Sequence, residues 1–414
     1  MKIRIFSISA GLLAITFFVN AQSYSTVIKG GHVIDPKNKI DGIMDVAINE
    51  GKIVLVASNI DAKEGKQVIN AKDLYVTPGL IDMHVHVFYG TRYDQALMNG
   101  GSSVSPDAFS FRAGVTTFVD AGSSGWRHFP DFKKQIIDVS QTRILAFLNI
   151  VGEGMRGGPF EQNIKDMDAH KAAESAKMFN KEIVGFKLAH YEGHEWAPTD
   201  STVAAGKMNN LPVMIDFGMS DPPLSLEELL MKHLRPGDIF THAYAYWPKT
   251  REAPVDENGK VKSYIFEAQK SGRIFDVGHG GGSFFWSQAA PAVKQGFVAD
   301  VISSDLHTGS MNSGMKDMCN LMSKFLNMGL SVQDVILRST WNPAKVINRT
   351  DLGNMSIGSD ADIAIFSLVK GNFGYLDITN EKLTGTQKLV AELTMRAGKV
   401  VWDLNGMAAT TQMK

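Results

Sequence analysis

"GLIDMHVHVF", residues 79–88, places two histidines one residue apart at the end of an apolar run. Side chains alternate along a strand, so His84 and His86 point the same way while Val85 points to the opposite side. Two neutral imidazoles with a shared direction can hold one divalent metal ion. The alternative is one core histidine and one rim histidine, each hydrogen-bonded to the backbone, and an isolated pair favours that alternative. Polar residues at further strand ends would favour the metal site instead.

Seven further short apolar runs follow, and each ends in a polar residue. Helix-like segments such as "DAHKAAESAKMFN" follow most of them. Short buried strands that alternate with helices indicate parallel βα units. Eight such units across residues 79–349 predict an α/β fold, a (β/α)8 barrel of the TIM type, with its active site at the carboxyl ends of the strands. The polar residues at those ends are His84, His86, Asp120, Lys187, Asp216, His242, His279 and Asp305.

The two ends of the chain have a different residue pattern. Residues 22–78 and 350–414 alternate apolar and polar residues, with turn-forming residues between the runs. "NEGK" at 49–52 and "RAGK" at 396–399 are typical of hairpin turns. Together the two ends predict one composite β-sandwich domain, into which the barrel is inserted.

Composition narrows the classes of partner. The chain has 414 residues, a hydrophobic content of 44% and a formal net charge of −1. This length supports more than one domain, and the balanced charge gives no reason to expect a nucleic-acid partner. We expect a small-molecule substrate, and a homo-oligomer is left open. Cys319 is the only cysteine, so no intrachain disulfide can form.

The amino terminus has the pattern of an export signal. Lys2 and Arg4 precede an apolar stretch that ends in Val19-Asn20-Ala21. This predicts a signal peptide over residues 1–21, cleavage after Ala21, and a periplasmic or secreted mature protein. The alternative is a membrane anchor, but the apolar run has roughly 15 residues against the about 20 that a span needs. We therefore expect no stable membrane anchor.

Lys187 lies among apolar neighbours in "IVGFKLAH", where a charged ammonium is costly to bury. One interpretation is a lysine whose amine reaches the rim of the barrel. The other is an uncharged lysine that carries a CO₂-derived carbamate, whose two oxygens can bridge two metal ions. The two histidines nearby favour the carbamate.

Three more positions have a chemical and a structural interpretation. Asp305 could bind the metal and accept a proton from water, or it could cap the following helix. His279 precedes three glycines and could contact the substrate, with the N–H groups of Gly280 and Gly281 receiving a substrate oxygen; alternatively it supports a flexible loop. Arg156 could bind a substrate carboxylate in a bidentate manner, or it could be a solvated loop arginine.

The motifs "VTPGLIDMHVH", "GVTTFVDAGS", "VGFKLAH", "DVGHGGGSF", "ISSDLH" and "STWNPAKVI" resemble those of the amidohydrolase superfamily, in its dihydroorotase-like and deacetylase-type branch. The resemblance covers nearly all of the mature sequence. It implies a barrel with a β-sandwich from both chain ends and a binuclear centre, usually zinc. It also implies ligand roles: His84, His86 and Asp305 for the first metal, a carboxylated Lys187 as bridge, and histidines of strands 5 and 6 for the second.

Strand 5 departs from the family pattern. Strand 6 supplies the expected histidine, His242, but on strand 5 Asp216 stands where the family has histidine. Asp216 could ligate the second metal through oxygen, which zinc accepts and which favours manganese relative to a nitrogen-rich site. Alternatively His190 could replace it, or the enzyme works with one metal.

The resemblance implies a metal-dependent hydrolase of C–N or ester bonds. We expect a secreted amidohydrolase or deacetylase that removes an acyl group, in the first place acetyl, from an amide or ester of a small carboxylic acid. A metal-bound hydroxide would attack the carbonyl, with Asp305 as the catalytic proton carrier. Two alternatives are a cyclic amide or lactone hydrolase with the same centre and a catalytically silent barrel that serves as a binding module.

Overall fold

The computed structural model describes residues 23–90 and 102–409. The predicted signal peptide lies outside these described residues. None of the helices within the two ranges is long and apolar enough to cross a membrane.

The strands of the described part are β1 (Tyr24–Asp35), β2 (Ile40–Asn49), β3 (Lys52–Ala57), β4 (Gly65–Asn70), β5 (Tyr75–Pro78), β6 (Leu80–Val85), β7 (Val115–Gly125), β8 (Arg143–Asn149), β9 (Ile183–Leu188), β10 (Val213–Ile215), β11 (Ile239–Phe240), β12 (Ile274–Phe275), β13 (Ile363–Leu376), β14 (Lys382–Arg396) and β15 (Lys399–Asp403). The α-helices are α1 (Pro106–Phe109), α2 (Phe129–Phe132), α3 (Ala169–Met178), α4 (Ala197–Asn209), α5 (Leu226–Glu228), α6 (Ser263–Lys270), α7 (Trp286–Lys294), α8 (Thr308–Met311), α9 (Met318–Asn327), α10 (Val332–Ser339) and α11 (Trp341–Val346). Two π-helical turns, Lys133–Ile137 and Leu229–His233, continue α2 and α5.

Strands β6 to β12 form one parallel sheet in chain order, as the predicted barrel requires. The eighth predicted strand, residues 300–307, is present only as isolated bridges. Val301 pairs with Asp276 beyond β12, and Leu306 pairs with Val85 of β6. These bridges connect the two edges of the seven-stranded sheet and close the circle.

The last barrel strands are short because the backbone leaves the extended conformation where polar residues begin. His242 has φ +59° and Asp305 has φ +51°. Non-glycine residues with positive φ are uncommon and concentrate at functional sites. The left-handed turns therefore mark the places where the chain stops pairing and presents a side chain at the end of the barrel.

One buried apolar cluster draws on nearly every barrel strand, so its members face the interior. It includes Ile81, Val119, Leu145, Val184, Met214, Ile239 and Val301. A larger cluster joins the outer side of the strands to the helices, as Phe186 of β9, Ile265 of α6 and Phe325 of α9 illustrate. Val85 belongs to this outer cluster, as the alternation along β6 predicts.

The two chain ends meet in one eight-stranded sheet of order β15-β14-β13-β5-β1-β2-β3, with β4 beside β1. The antiparallel pair β5 and β13 joins the amino-terminal strands to the carboxyl-terminal ones. Both predicted hairpin turns are confirmed, since Asn49 pairs with Lys52 and Arg396 with Lys399. The division into two packed layers and the exact domain bounds stay predictions.

Candidate metal centre

A cavity of about 650 Å³ lies at the carboxyl ends of the barrel strands. The structure brings six of the predicted site residues together on its wall: His84, His86, Lys187, Asp216, His242 and Asp305. Polar residues from five different apolar runs therefore share one cavity, because parallel strands of a barrel end on the same side.

The three histidines are held in the same way, each by its Nδ1 atom. His242 Nδ1 donates to the Gly278 carbonyl at 2.6 Å. His86 Nδ1 lies 3.0 Å from the hydroxyl of Ser123. His84 Nδ1 lies 3.0 Å from the hydroxyl of Thr241, which donates onward to Asp276. Holding one ring nitrogen in this way aims the other at a metal, as is usual for histidine ligands.

The Nε2 atoms of the same histidines face carboxylates across the cavity. Asp305 Oδ1 lies 3.1 Å from His86 Nε2 and 3.6 Å from His84 Nε2. Two ligands that are each about 2.0–2.1 Å from a tetrahedral zinc ion lie roughly 3.3 Å apart. One ligand atom from each of His84, His242 and Asp305 also lies within 4.8 Å of the others. These spacings fit a divalent metal ion.

Charges at the centre suit metal binding. Burial, together with the charge of Lys187, lowers the pKa of His84 to about 4, so its imidazole is neutral. Burial raises the pKa of Asp305, but its interaction with the His84 imidazole and the hydrogen bond with His86 outweigh this and hold that pKa well below its usual range. Metal ligands must be neutral imidazoles and ionised carboxylates, and the His84 imidazole and the Asp305 carboxylate meet that requirement.

Lys187 is buried in β9, with 1% of its surface exposed. Its Nζ lies 3.4 Å from His84 Nε2 and 3.5 Å from the sulfur of Met214. Burial lowers the pKa of Lys187, although Asp216 and Asp305 oppose this effect. The amine therefore lies inside the wall of the cavity beside His84 and does not reach the rim. Its carboxylation and its bridging of two metals stay predictions.

Asp216 follows β10 and presents its two oxygens to different partners. Oδ2 lies 3.6 Å from His242 Nε2 and 3.8 Å from His190 Nε2, while Oδ1 lies 3.3 Å from Arg251 Nη1. Burial raises the pKa of Asp216, but the charge of His242 outweighs it and holds that pKa well below its usual range. A carboxylate with one oxygen beside His242 can serve the second metal.

His190 is the alternative candidate for that position. Its Nδ1 is 2.8 Å from Glu161 Oε2, and its backbone has φ +54°. Burial lowers the pKa of His190, but the hydrogen bond to Glu161 and the charge of Asp216 raise it above its usual value. His190 therefore lies beside the centre, with its Nε2 toward the same Asp216 oxygen as His242 and its Nδ1 held by a buried carboxylate.

His279 lies outside the cavity, contrary to the predicted substrate contact. It is fully buried, its Nδ1 donates to the Gly280 carbonyl at 2.9 Å, and its Nε2 is 2.6 Å from Lys324 Nζ. Both ring nitrogens are thus occupied inside the protein. The N–H of Gly280 is also occupied, since it donates to the Ser304 carbonyl at 2.9 Å. The interpretation of His279 as support for the glycine loop fits the structure better.

Arg156 is also placed differently from the prediction. Its guanidinium donates to Glu153 at 3.0 Å and lies over the ring of Phe160 at 4.1 Å. The neighbours Met155 and Gly157 line the cavity, but Arg156 is not among the lining residues. The residues on either side of Arg156, and not Arg156 itself, therefore contribute to the wall of the cavity. Gly281, by contrast, lines an adjoining cavity of about 460 Å³ that shares Asp216, His242 and Asp305 with the first.

Sequence reasoning missed the groups that hold the ligands. Asp276, Thr241 and Ser123 orient histidines, yet they lie within or after apolar runs and carry no motif of their own. Asp120 lies within β7, which continues to Gly125, and not at the predicted strand end. Its carboxylate accepts from the backbone N–H groups of Val87 and Ser123 and has a structural role. His307, two residues after Asp305, lines both cavities and could have been found in "ISSDLH".

Another cavity of about 440 Å³ lies at the amino ends of the strands. It is lined by Arg235 and Asp238, which pair with one another at 2.6 Å. None of the predicted ligands contributes to it. The chemistry therefore belongs to the opposite end of the barrel.

A TIM-type barrel that gathers histidines, a buried lysine and carboxylates at its strand ends defines the class of metallohydrolase barrels. Comparisons with known proteins agree. A model of the Amidohydrolase family matches residues 285–401. A deacetylase of Agrobacterium fabrum is 33% identical over 346 residues, which cover 79% of this chain and 79% of the relative. A deacetylase of Brucella anthropi is 31% identical over 355 residues, covering 81% and 82%.

Solved structures with a similar fold include enzymes with other activities. An adenine deaminase superposes with a TM-score of 0.82 at 25% identity and covers 92% of this chain and 100% of its own. A dihydroorotase superposes with a TM-score of 0.78 at 27% identity, covering 91% and 99%. The chain belongs to the amidohydrolase family, which confirms the resemblance, and it is a hydrolase acting on C–N bonds. The catalytically silent barrel is thereby set aside.

Proposed function

We propose that this protein is an exported metal-dependent deacylase that removes an acyl group, in the first place acetyl, from an amide or ester of a small carboxylic acid. The observation that carries the proposal is that His84, His86 and His242, each held by Nδ1, share one cavity with Asp305. The deacetylases among the relatives support the acetyl group.

The donor set fits two divalent ions. His84, His86 and Asp305 would hold the first ion, and His242 with Asp216 the second, with zinc or manganese as the metal. Bound ions would supply Lewis-acid activation of water and of the scissile carbonyl. Lys187 lines the same cavity, with its Nζ 3.4 Å from His84 Nε2. We propose that its neutral amine adds to CO₂, releases one proton and becomes the bridging N6-carboxylysine.

Asp305 is the proposed proton carrier. Its Oδ1 faces His84 and His86, while its Oδ2 lies against Gly280, where a Cβ would come within 2.2 Å. Only glycine at position 280 therefore leaves room for the carboxylate in this orientation. From that position Asp305 accepts the proton of the attacking water and returns it to the leaving amine or alkoxide, the usual role of a general acid–base group.

The acid half of the substrate needs a partner other than Arg156. Among the described residues of the larger cavity, Lys187 is the only lysine or arginine on the wall. Arg251 lines the adjoining cavity, but Asp216 and the carbonyls of Phe217, Thr241 and His242 already occupy its guanidinium. His307 and the backbone of Gly281 are therefore the candidates that remain. Neutral acyl amides therefore belong beside N-acyl amino acids in any substrate test.

A panel of substrates tests the proposal. It should contain N-acetyl amino acids, acetylated hydroxy acids, neutral N-acetyl amides and, because a dihydroorotase is a structural neighbour, cyclic amides and lactones. The wild type is assayed with added zinc and with added manganese, and Asp305→Asn is the matched control. We expect acetyl release that the control lacks. Turnover of the cyclic compounds alone would replace deacylation with ring opening.

A further inference from the structure

A buried lysine lies outside the candidate site and has no role in the proposed reaction. Lys324 of α9 is fully buried. Its Nζ lies 2.6 Å from His279 Nε2, 2.9 Å from the Gly314 carbonyl and 2.5 Å from the Leu376 carbonyl. It also lies 5.1 Å from the centre of the Phe284 ring. Each hydrogen of the protonated amine thus has an acceptor, and none of these three acceptors carries a charge.

The contact with His279 leads to the active centre in two steps. His279 Nδ1 donates to the Gly280 carbonyl at 2.9 Å, so its Nε2 is the acceptor for Lys324. Gly280 in turn has φ +54°, and a Cβ there would lie 2.2 Å from Asp305 Oδ2. Lys324, His279, Gly280 and the Asp305 carboxylate therefore form one chain of direct contacts.

The same amine ties together three segments that are distant in sequence. Gly314 follows α8, Leu376 ends β13 of the β-rich part, and His279 follows β12. Burying an ammonium is costly unless it is hydrogen-bonded. A methionine or leucine would fill the same volume without that cost, so packing alone does not explain a lysine here.

We infer that Lys324 is a positioning residue, which holds the Asp305 carboxylate in its reactive orientation through His279 and Gly280. Without the amine, the His279 ring loses the hydrogen bond at its Nε2 and can rotate. The Gly280 carbonyl, which His279 Nδ1 holds, then loses its fixed position next to Asp305. The inference rests on the proposed function for its kinetic consequence. Its geometric consequence, the placement of Asp305 toward a bound metal, does not depend on which substrate the enzyme uses.

The first test compares wild type with Lys324→Met, a substitution of similar length that removes all three N–H donors. Both proteins are loaded with cobalt, and the visible absorption of the ion reports the geometry of its ligands. We expect a changed spectrum with an unchanged metal content. We also expect kcat to fall about 10- to 100-fold, the usual cost of losing support for a metal ligand, while KM changes less than kcat. Lys345→Met, an exposed lysine at the opposite end of the barrel, is the control.

The second test asks whether Lys324 acts through His279. His279→Leu and the double variant Lys324→Met/His279→Leu complete a cycle. Groups that act as a unit are not additive, so the double variant should lose no more kcat than the more severe single variant. Independent losses that multiply would overturn the inference, as would a Lys324→Met protein with the wild-type spectrum and kcat.

Two variants protect the test against a folding failure. His279→Leu leaves the Lys324 amine its two carbonyl acceptors and gives the same comparison if Lys324→Met is recovered only as aggregate. Gly280→Ala should reproduce the changed cobalt spectrum without touching Lys324, because its Cβ would meet Asp305. If the wild type hydrolyses none of the substrate panel, the proposed function fails while the cobalt spectra still decide the role of Lys324.

Discussion

Arg251 Nη1 lies 3.3 Å from Asp216 Oδ1. The carboxylate after β10, the fifth strand of the barrel, departs from the family pattern and therefore has a cation beside it. Arg251 is buried, and it also donates to the carbonyls of Thr241 and His242. Burial lowers its pKa to about 10, although Asp216 opposes this effect, so the guanidinium stays charged at neutral pH. The negative charge that replaces a neutral histidine is therefore offset by a guanidinium in the wall of the adjoining cavity, which Asp216 also lines.

This pairing predicts that Asp216 and Arg251 depend on one another. Asp216→Asn and Arg251→Met should each destabilise the metal-free protein, because each leaves a buried charge without its partner. The double variant should be more stable than the sum of the two losses predicts, by about 1–3 kcal/mol. Urea unfolding of the three variants with chelator measures this. Additive losses would mean that the two side chains are independent.

The barrel was predictable because each of its strands begins as an apolar run that a polar residue ends. The eighth run, residues 300–307, shows what the apolar pattern does not predict. Its residues make only isolated bridges, since the backbone at Asp305 turns to φ +51° and pairing stops. A hydrophobic pattern indicates burial, but it does not fix where hydrogen bonding between strands ends.

The ligands were predictable for the same reason, whereas their supports were not. His84 lies in a motif, but Asp276 and Thr241, which hold its ring, are 192 and 157 residues away in the chain. His279 shows the opposite case. It follows a barrel strand as a ligand would, but Gly278 and Gly280 on either side have positive φ. The ring is thereby directed to Lys324, and no local pattern in the sequence reveals that direction.

Lys187→Ala should lose bound metal and at least about 100-fold in activity, because the ligand that is proposed to bridge the two ions is gone. A short carboxylic acid such as acetate should restore part of the activity by supplying two oxygens in the vacated space. Metal analysis and turnover with and without the acid measure this, with the exposed Lys345→Ala as control. An alanine variant with two metals and full turnover would rule out the bridge.

Asp305→Asn should fold normally, because the barrel does not depend on that carboxylate for its core. Its kcat should fall by about 10²–10⁴-fold, the range for loss of a general acid–base group. Since Asp305 is also a proposed ligand, turnover is expressed per bound metal, and circular dichroism checks the fold. Near-normal kcat would assign the proton transfer to another residue.

Expression with the leader in a Gram-negative host tests the predicted export. The short apolar stretch before Ala21 predicts cleavage and not anchoring. The purified protein should begin near Gln22 and fractionate with soluble periplasmic proteins. Amino-terminal sequencing and fractionation measure this, and intact Met1 in the membrane pellet would indicate an anchor.

Asp276 offers the sharpest test of the metal centre, because it supports a ligand without touching the proposed ions. Its Oδ2 accepts from Thr241 at 2.7 Å and lies 3.3 Å from His84 Nδ1, while Oδ1 accepts from Ser303 at 2.5 Å. Asp276→Asn replaces one of these acceptors with an NH₂ group that cannot accept. The His84 ring then loses the partner that fixes its tautomer and direction.

We expect the zinc affinity of Asp276→Asn to fall about 10- to 100-fold, measured by competition with a chelator. Asp238→Asn is the matched control, because Asp238 is equally buried but pairs with Arg235 at the other end of the barrel. It should lose stability and keep its zinc affinity. Equal affinities in the two variants would mean that His84 needs no support from Asp276. A lower zinc affinity in Asp276→Asn than in Asp238→Asn therefore indicates a metal centre built around His84. Equal affinities indicate a cluster of buried polar residues that only stabilises the barrel.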